Sequence, residues 1–214
     1  MFAREHQRRC AEMKIGIISG SHRKNSQSMR VAKWVEKRIG QMGITQRMSI
    51  LELATANLPF WDEGMWEGEE RWKRIWNGHS QDLGSCDAFV IIAPEYGGMV
   101  PPALKNLFLL TSNQEFAHKP ALIVGISAGR SGSYPISELR MSSFKNTRIC
   151  YLPDHMILRE VEALFTGDEP ANPVEKDLRA RLDYFLKLLA EYAKALSGVR
   201  SSGVIDTKTF PNGL

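Results

Sequence analysis

Residues 19–28 read SGSHRKNSQS, four serines with a glycine, an arginine and a lysine, set between the apolar run IGII and the stretch MRVAKWVEKRIGQMG, which reads as a helix. A strand running into a helix leaves backbone N–H groups free and turns the positive end of the helix dipole outward, so such a joint suits an anion. Ser21, Ser26 and Ser28 add hydroxyl donors, Gln27 an amide donor, and Arg23 a planar cation matched to phosphate oxygens. A serine-rich N-cap produces part of this pattern for structural reasons alone, but the density of donors favours a terminal phosphate. The nucleotide patterns G-x-x-x-x-G-K-S/T and G-x-G-x-x-G are both missing here, which disfavours a nucleoside triphosphatase and a Rossmann dinucleotide site. No cysteine lies in the loop to serve as a phosphatase nucleophile.

Two further loops share this character. In APEYGGMVPPALKN, residues Pro94, Gly97 and Gly98 let backbone approach a flat ligand, and Tyr96 can pack beside it or hydrogen-bond through its hydroxyl. The bland alternative is a tight turn before a proline-started helix. Glu95 in the same turn reads as a structural partner for a neighbouring element rather than an acid or base, and no side chain is assigned a catalytic role. SAGRSGSY combines Gly129 and Gly132 with Ser127 and Arg130. The five histidines show no H-x-x-x-H or H-E-x-x-H spacing, so no metal site is expected. Trp66, Trp72 and Trp76 could cover a ligand, but aromatic residues at helical spacing are more often core or interface.

These loops need a scaffold that brings them together. Buried strands are expected at 15–19, 47–53, 86–94 and 119–127, with a fifth strand region in RICYLP and the following HMILREV. Between them fall a helix with Val31, Val35, Ile39 and Met42 on one face, ended by Gly43; a loop over 57–66; a helix over EGEERWKRIWNGHS; one begun by prolines in PPALKNLFLLTS; and one in ISELRMSSF. The last helix has Asn172 as N-cap, Pro173 next and Glu175 at the capping-box position, with Leu178, Leu182, Phe185, Leu189, Tyr192 and Leu196 on one face. Alternating strands and helices, with strands apolar on both faces, predict an α/β fold: a flavodoxin-like, doubly wound, five-stranded parallel sheet with helices on both faces. In such a sheet the loops after the first, third and fourth strands meet at the carboxyl edge, where ligands bind.

Bulk properties narrow the class. A chain of 214 residues, 43% hydrophobic and 24% charged, suits one globular domain. The expected division is an N-terminal arm over 1–13, the domain over 14–197 and a tail over 198–214. The arm has charge but no apolar region behind it, and no run is long enough to span a bilayer, so a cytoplasmic protein without a membrane partner is expected. Cys10, Cys86 and Cys150 suggest neither a disulfide framework nor a zinc site. The net charge of +4 is spread out, which argues for a solvated surface over nucleic-acid binding.

GSHRKNSQS and PEYGGMVPPALKN, in this order and spacing, resemble the G-S-x-R-x-x-S and P-E-Y-N-x-S-x-P-x-x-L-K-N patterns of the NADPH-dependent FMN reductase family, which includes quinone, chromate and azo-dye reductases; the resemblance spans roughly residues 14–196. It implies an FMN whose phosphate is held by Ser21, Arg23, Ser26, Gln27 and Ser28, with Pro94, Glu95, Tyr96 and Gly97 beside the ribityl chain and ring, and Ser127 to Arg130 on the far side. Arg130 is a candidate partner for the nicotinamide dinucleotide's phosphates. The implied activity is ping-pong transfer of hydride from NADPH, or NADH, to bound FMN and on to an acceptor such as free flavin, a quinone or an azo compound. Two alternatives carry over: a flavodoxin-like electron carrier, against which the pI near 9.0 argues, and a flavin-free interaction protein of the same fold. Gly97 stands where the family usually has asparagine and Met99 where it often has serine, which implies fewer side-chain bonds to the flavin. The apolar run LFLL after Asn106 is wider than one buried face needs, so a homo-oligomer, dimer or tetramer, is expected.

Overall fold

A computed structural model describes residues 13–213. The expected N-terminal arm, with Cys10, lies outside these residues except for Met13, which is buried. Five strands form one sheet: β1 (Lys14–Ser19), β2 (Arg47–Glu52), β3 (Ala88–Pro94), β4 (Pro120–Ile126) and β5 (Cys150–Leu158), in the order β2-β1-β3-β4-β5. Every pairing is parallel, with Ile17 opposite Ile50 on one side and Val90 on the other. This is the doubly wound order, and its reversal lies between β1 and β3.

Side chains alternate across the sheet, as the pleat requires. Ile15, Ile17, Val90, Ile92, Leu122 and Val124 face α1 (Gln27–Gln41) and α6 (Pro173–Ser201). Ile18, Phe89, Ile91, Ala121 and Ile123 face the other layer: α3 (Glu70–Gly84), α4 (Pro102–Leu110) and α5 (Tyr134–Met141). Trp72 and Trp76 are buried in that second core, which settles their role as packing. Val31, Val35 and Ile39 form the buried stripe of α1, and Gly43 takes a positive φ just past its end.

Local departures from the sequence reading have physical causes. The stretch over 57–66 was expected to be a loop but includes the start of a short helix, α2 (Gly64–Glu67), closed by Gly68 in a left-handed conformation; α3 then begins at Glu70. In β5, Tyr151 and His155 face Ala121 and Ile123, so extra residues bulge from the ladder around Pro153, which has no N–H to donate. Asn172 caps α6 by accepting from the Glu175 N–H, but Glu175 does not close a reciprocal box. Its buried carboxylate instead accepts from the N–H groups of Phe165 and Ala171 and pairs with Arg179, which holds it ionised and below the usual carboxylate range against the cost of burial.

Candidate functional site

At the carboxyl edge of the sheet, backbone bonds bring the loop ends together: Gly20 N–H donates to Ile92 O, Glu95 N–H to Ile126 O, and Ser127 N–H to Leu158 O. Gly20 has no room for a side chain, since a Cβ there would lie 2.7 Å from Ile92 O. Between these loops opens a cavity of about 180 Å³. Small-molecule sites usually begin near roughly 300 Å³, so this cavity encloses one end of a ligand rather than a whole one.

The β1–α1 loop builds the polar wall. Ser26 is the N-cap of α1, its hydroxyl accepting from Met29 N–H at 3.2 Å, and no acidic residue in the first turn offsets the helix dipole. Ser21 Oγ accepts from Arg23 N–H and lies 2.6 Å from the Tyr96 hydroxyl. When Tyr96 donates in that pair, the Ser21 proton is free for a ligand. Ser28 is 1% exposed, lines the cavity, and its hydroxyl has no hydrogen-bond partner. A buried hydroxyl left unpaired costs about 1–3 kcal/mol, and a ligand oxygen in the cavity would remove that cost. Gln27 is held by Arg30, whose Nε–H donates to Gln27 Oε1 at 2.6 Å, which leaves its amide NH₂ as a donor. Hydroxyls, an amide, helix N–H groups and the exposed Arg23 make a set of donors suited to a phosphate monoester.

The second loop works mainly through its backbone. Tyr96 and Met99 exchange N–H···O bonds around Gly97 and Gly98, whose φ values of +59° and +76° define the tight turn in which both central residues are left-handed. Asparagine and glycine both reach that conformation, so Gly97 preserves the turn while giving up a side chain. The Glu95 carboxylate accepts from Gly132 N–H at 2.6 Å and ties the second loop to the third.

Nine of the expected residues line the cavity: Ser21, Arg23, Ser26, Gln27, Ser28, Pro94, Glu95, Tyr96 and Ser127. Gly97, Gly98, Gly129 and Arg130 do not; the first two shape the turn, Gly129 accepts from Glu160 N–H, and the Arg130 side chain is 93% exposed, 3.6 Å from Glu160. Sequence reasoning missed Asn25, Ile126, Val161 and Glu162. Asn25 adopts φ +52°, a conformation asparagine favours, and that was the available signal. Val161 and Glu162 follow β5, whose loop opens on the same sheet edge. They are held there by Arg30, whose guanidinium donates to the carbonyls of Val161, Leu164 and Phe165.

Among the described residues no cluster of histidine, cysteine or acidic side chains has the spacing to hold a metal, and no helix is long and apolar enough to cross a membrane.

Comparison with known proteins matches residues 13–162 to a family described as NADPH-dependent FMN reductase. An NADPH azoreductase from a Bacillus species is 24% identical over 190 residues, covering 86% of this chain and 98% of the relative. A quinone reductase from Pseudomonas putida is 28% identical over 127 residues, covering 56% of this chain and 63% of the relative. Among solved structures, a flavoenzyme NAD(P)H:(acceptor) oxidoreductase from Paracoccus denitrificans superposes with a TM-score of 0.64 at 19% identity, covering 86% of this chain and 98% of the other, a likeness of fold.

Proposed function

Because the chain belongs to the NADPH-dependent FMN reductase family and is thereby an NAD(P)H-dependent oxidoreductase that works with FMN, we propose that it carries hydride from NADPH, or NADH, to a small-molecule acceptor of the quinone or azo class by a ping-pong mechanism. Bound FMN supplies the two-electron chemistry of that transfer. The chain supplies binding and orientation. Ser21, Ser26, Ser28 and Gln27 donate to the phosphate, with Arg23 and the first N–H groups of α1 balancing its charge. Tyr96 sets the Ser21 proton, and the Tyr96–Met99 turn and Ser127 border the rest of the cofactor. Glu95 is committed to Gly132, so the reading assigns no side chain to acid or base chemistry.

The observation that carries this reading is the buried, unpaired Ser28 hydroxyl in a cavity whose other groups are phosphate donors. The reductase domain is proposed to occupy 14–197, with 198–214 as a tail, in a cytoplasmic protein. Leu109 on α4 is 62% exposed, and Met99, Tyr134, Met141 and Phe144 are also exposed large apolar side chains, which supports a homodimer built on α4. The test is an anaerobic visible spectrum of FMN-reconstituted, desalted protein before and after NADPH. Retained flavin that bleaches supports the reductase; retained flavin that stays yellow points to an electron carrier, and no retained flavin overturns the site.

A further inference from the structure

One group in the donor-lined cavity has nothing to give a phosphate. The lining holds two carboxylates; Glu95 has an oxygen committed to Gly132 N–H, whereas the exposed Glu162 makes no hydrogen bond or ion pair among the described residues. An ionised carboxylate only accepts, and the oxygens of a phosphate dianion do the same, so Glu162 repels the group that Ser28 and its neighbours are placed to bind.

The backbone nevertheless holds Glu162 at this wall from two sides. Glu160 N–H donates to Gly129 O at 2.9 Å and Val161 N–H to Ser127 O at 3.1 Å, so the chain after β5 lies along the third loop. From the other side Arg30, in the second turn of α1, donates to Val161 O at 2.5 Å. Arg30 does not occupy the Glu162 carboxylate. Its guanidinium directs its bonds to Gln27 and to the carbonyls of Val161, Leu164 and Phe165, and the Glu162 charge only offsets part of the burial that lowers the Arg30 pKa. Glu162 is thus an acceptor without a donor in the same cavity where Ser28 is a donor without an acceptor.

We propose that Glu162 is a specificity-determining residue that accepts from a hydroxyl of the ligand, so that the cavity recognises a polyol phosphate and binds that fragment without an attached ring. The inference deepens, and rests on, the reading that the cavity takes the phosphate end of FMN, whose ribityl chain has this chemistry. A ligand with acceptors at its end and hydroxyl donors farther along satisfies both Ser28 and Glu162; an alkyl phosphate satisfies Ser28 alone. Free sugar-alcohol phosphates are therefore competitors of FMN for this cavity.

The test is calorimetric titration of the flavin-free, full-length protein with ribitol 5-phosphate and with pentyl phosphate, which has the same chain length and phosphate but no hydroxyls. Repulsion between Glu162 and the phosphate is common to both probes and cancels in the ratio of their affinities. The wild-type protein is expected to prefer ribitol 5-phosphate by about tenfold or more, as one hydrogen bond to a charged group would give. Glu162→Ala is expected to lower that preference about tenfold. Glu162→Gln, which keeps an acceptor and loses the charge, should fall between the two, and both variants should keep the wild-type urea midpoint because the side chain is exposed and unbonded. A preference that is the same in wild type and Glu162→Ala overturns the proposal, as does a wild-type protein that binds neither probe. Retention of FMN by a protein without a Glu162-dependent preference leaves the cofactor reading standing while the proposal falls; such a preference in a protein that retains no FMN does the reverse.

Discussion

Replacing Ser28 by alanine should move two measurements in opposite directions. The Ser28 hydroxyl is buried and unpaired, so the flavin-free protein carries its desolvation cost of about 1–3 kcal/mol. Alanine removes only the oxygen, and the flavin-free variant should be more stable than wild type by up to about that amount. A hydrogen bond to a charged phosphate oxygen contributes about 1.5–3 kcal/mol, so FMN should bind the variant roughly 10- to 150-fold more weakly. Urea midpoints of the flavin-free proteins, with FMN affinity from quenching of flavin fluorescence, measure both quantities. Ser26→Ala is the control of opposite sign: its hydroxyl caps α1 through Met29 N–H, and its loss should destabilise the flavin-free protein by about 1 kcal/mol. A Ser28→Ala protein that is less stable without flavin and binds FMN as tightly as wild type would refute the reasoning.

Lys119 donates to the carbonyls of Leu83 and Gly84 at the end of α3, and burial lowers its pKa from 10.5 to about 8. Between those pH values the unfolded chain binds a proton that the folded one does not, so stability should rise by about 3 kcal/mol as pH increases from 8 to 10.5, and Lys119→Met should flatten that rise in urea titrations. Arg30→Met leaves the carbonyls of Val161, Leu164 and Phe165 without their donor, so it should lower stability by about 1–3 kcal/mol and weaken FMN binding by loosening the wall at Val161 and Glu162; unchanged flavin affinity would deny Arg30 that role. At φ +59°, Gly97→Ala should cost about 1–2 kcal/mol in thermal or urea unfolding, whereas Gly97→Asn should cost much less. Leu109→Glu should shift the protein to monomer in sedimentation velocity, and an unchanged oligomer would move the interface off α4.

What the sequence made legible were the parts whose physics is local. A strand with both faces buried is apolar throughout, so Ala88–Pro94 and Pro120–Ile126 could be read directly. Ser26 and Asn172 could be read as caps because the partner N–H lies three residues on. Glu175 shows where local reading stops: its position fits a capping box, but its carboxylate is taken by Phe165, ten residues back, where the chain returns from β5. The missed cavity residues follow the same rule. Val161 reaches the site through a bond from Arg30 across 131 positions, and outside the site the chain at Pro59 and Trp61 is placed in the same way by the Asn106 side chain, across 47 and 45. Nothing near Val161 or Pro59 in the sequence encodes those bonds.

The same division has a consequence for catalysis. The polar wall of the donor-lined cavity comes mostly from one short segment, residues 21–28 at the start of α1, with Ser21 tied to Tyr96 of the second loop, whereas the wall at Val161 and Glu162 depends on the single long-range side chain of Arg30. Substitution of Arg30 should therefore alter binding and orientation at the site while leaving the sheet intact, because it acts on a loop beyond the carboxyl edge. Glu95 belongs with it: by joining the Tyr96–Met99 turn to Gly132, its carboxylate ties two loops of the site together. Since FMN supplies the redox chemistry and the chain supplies positioning, the rate is expected to respond to how firmly Arg30 and Glu95 hold these loops.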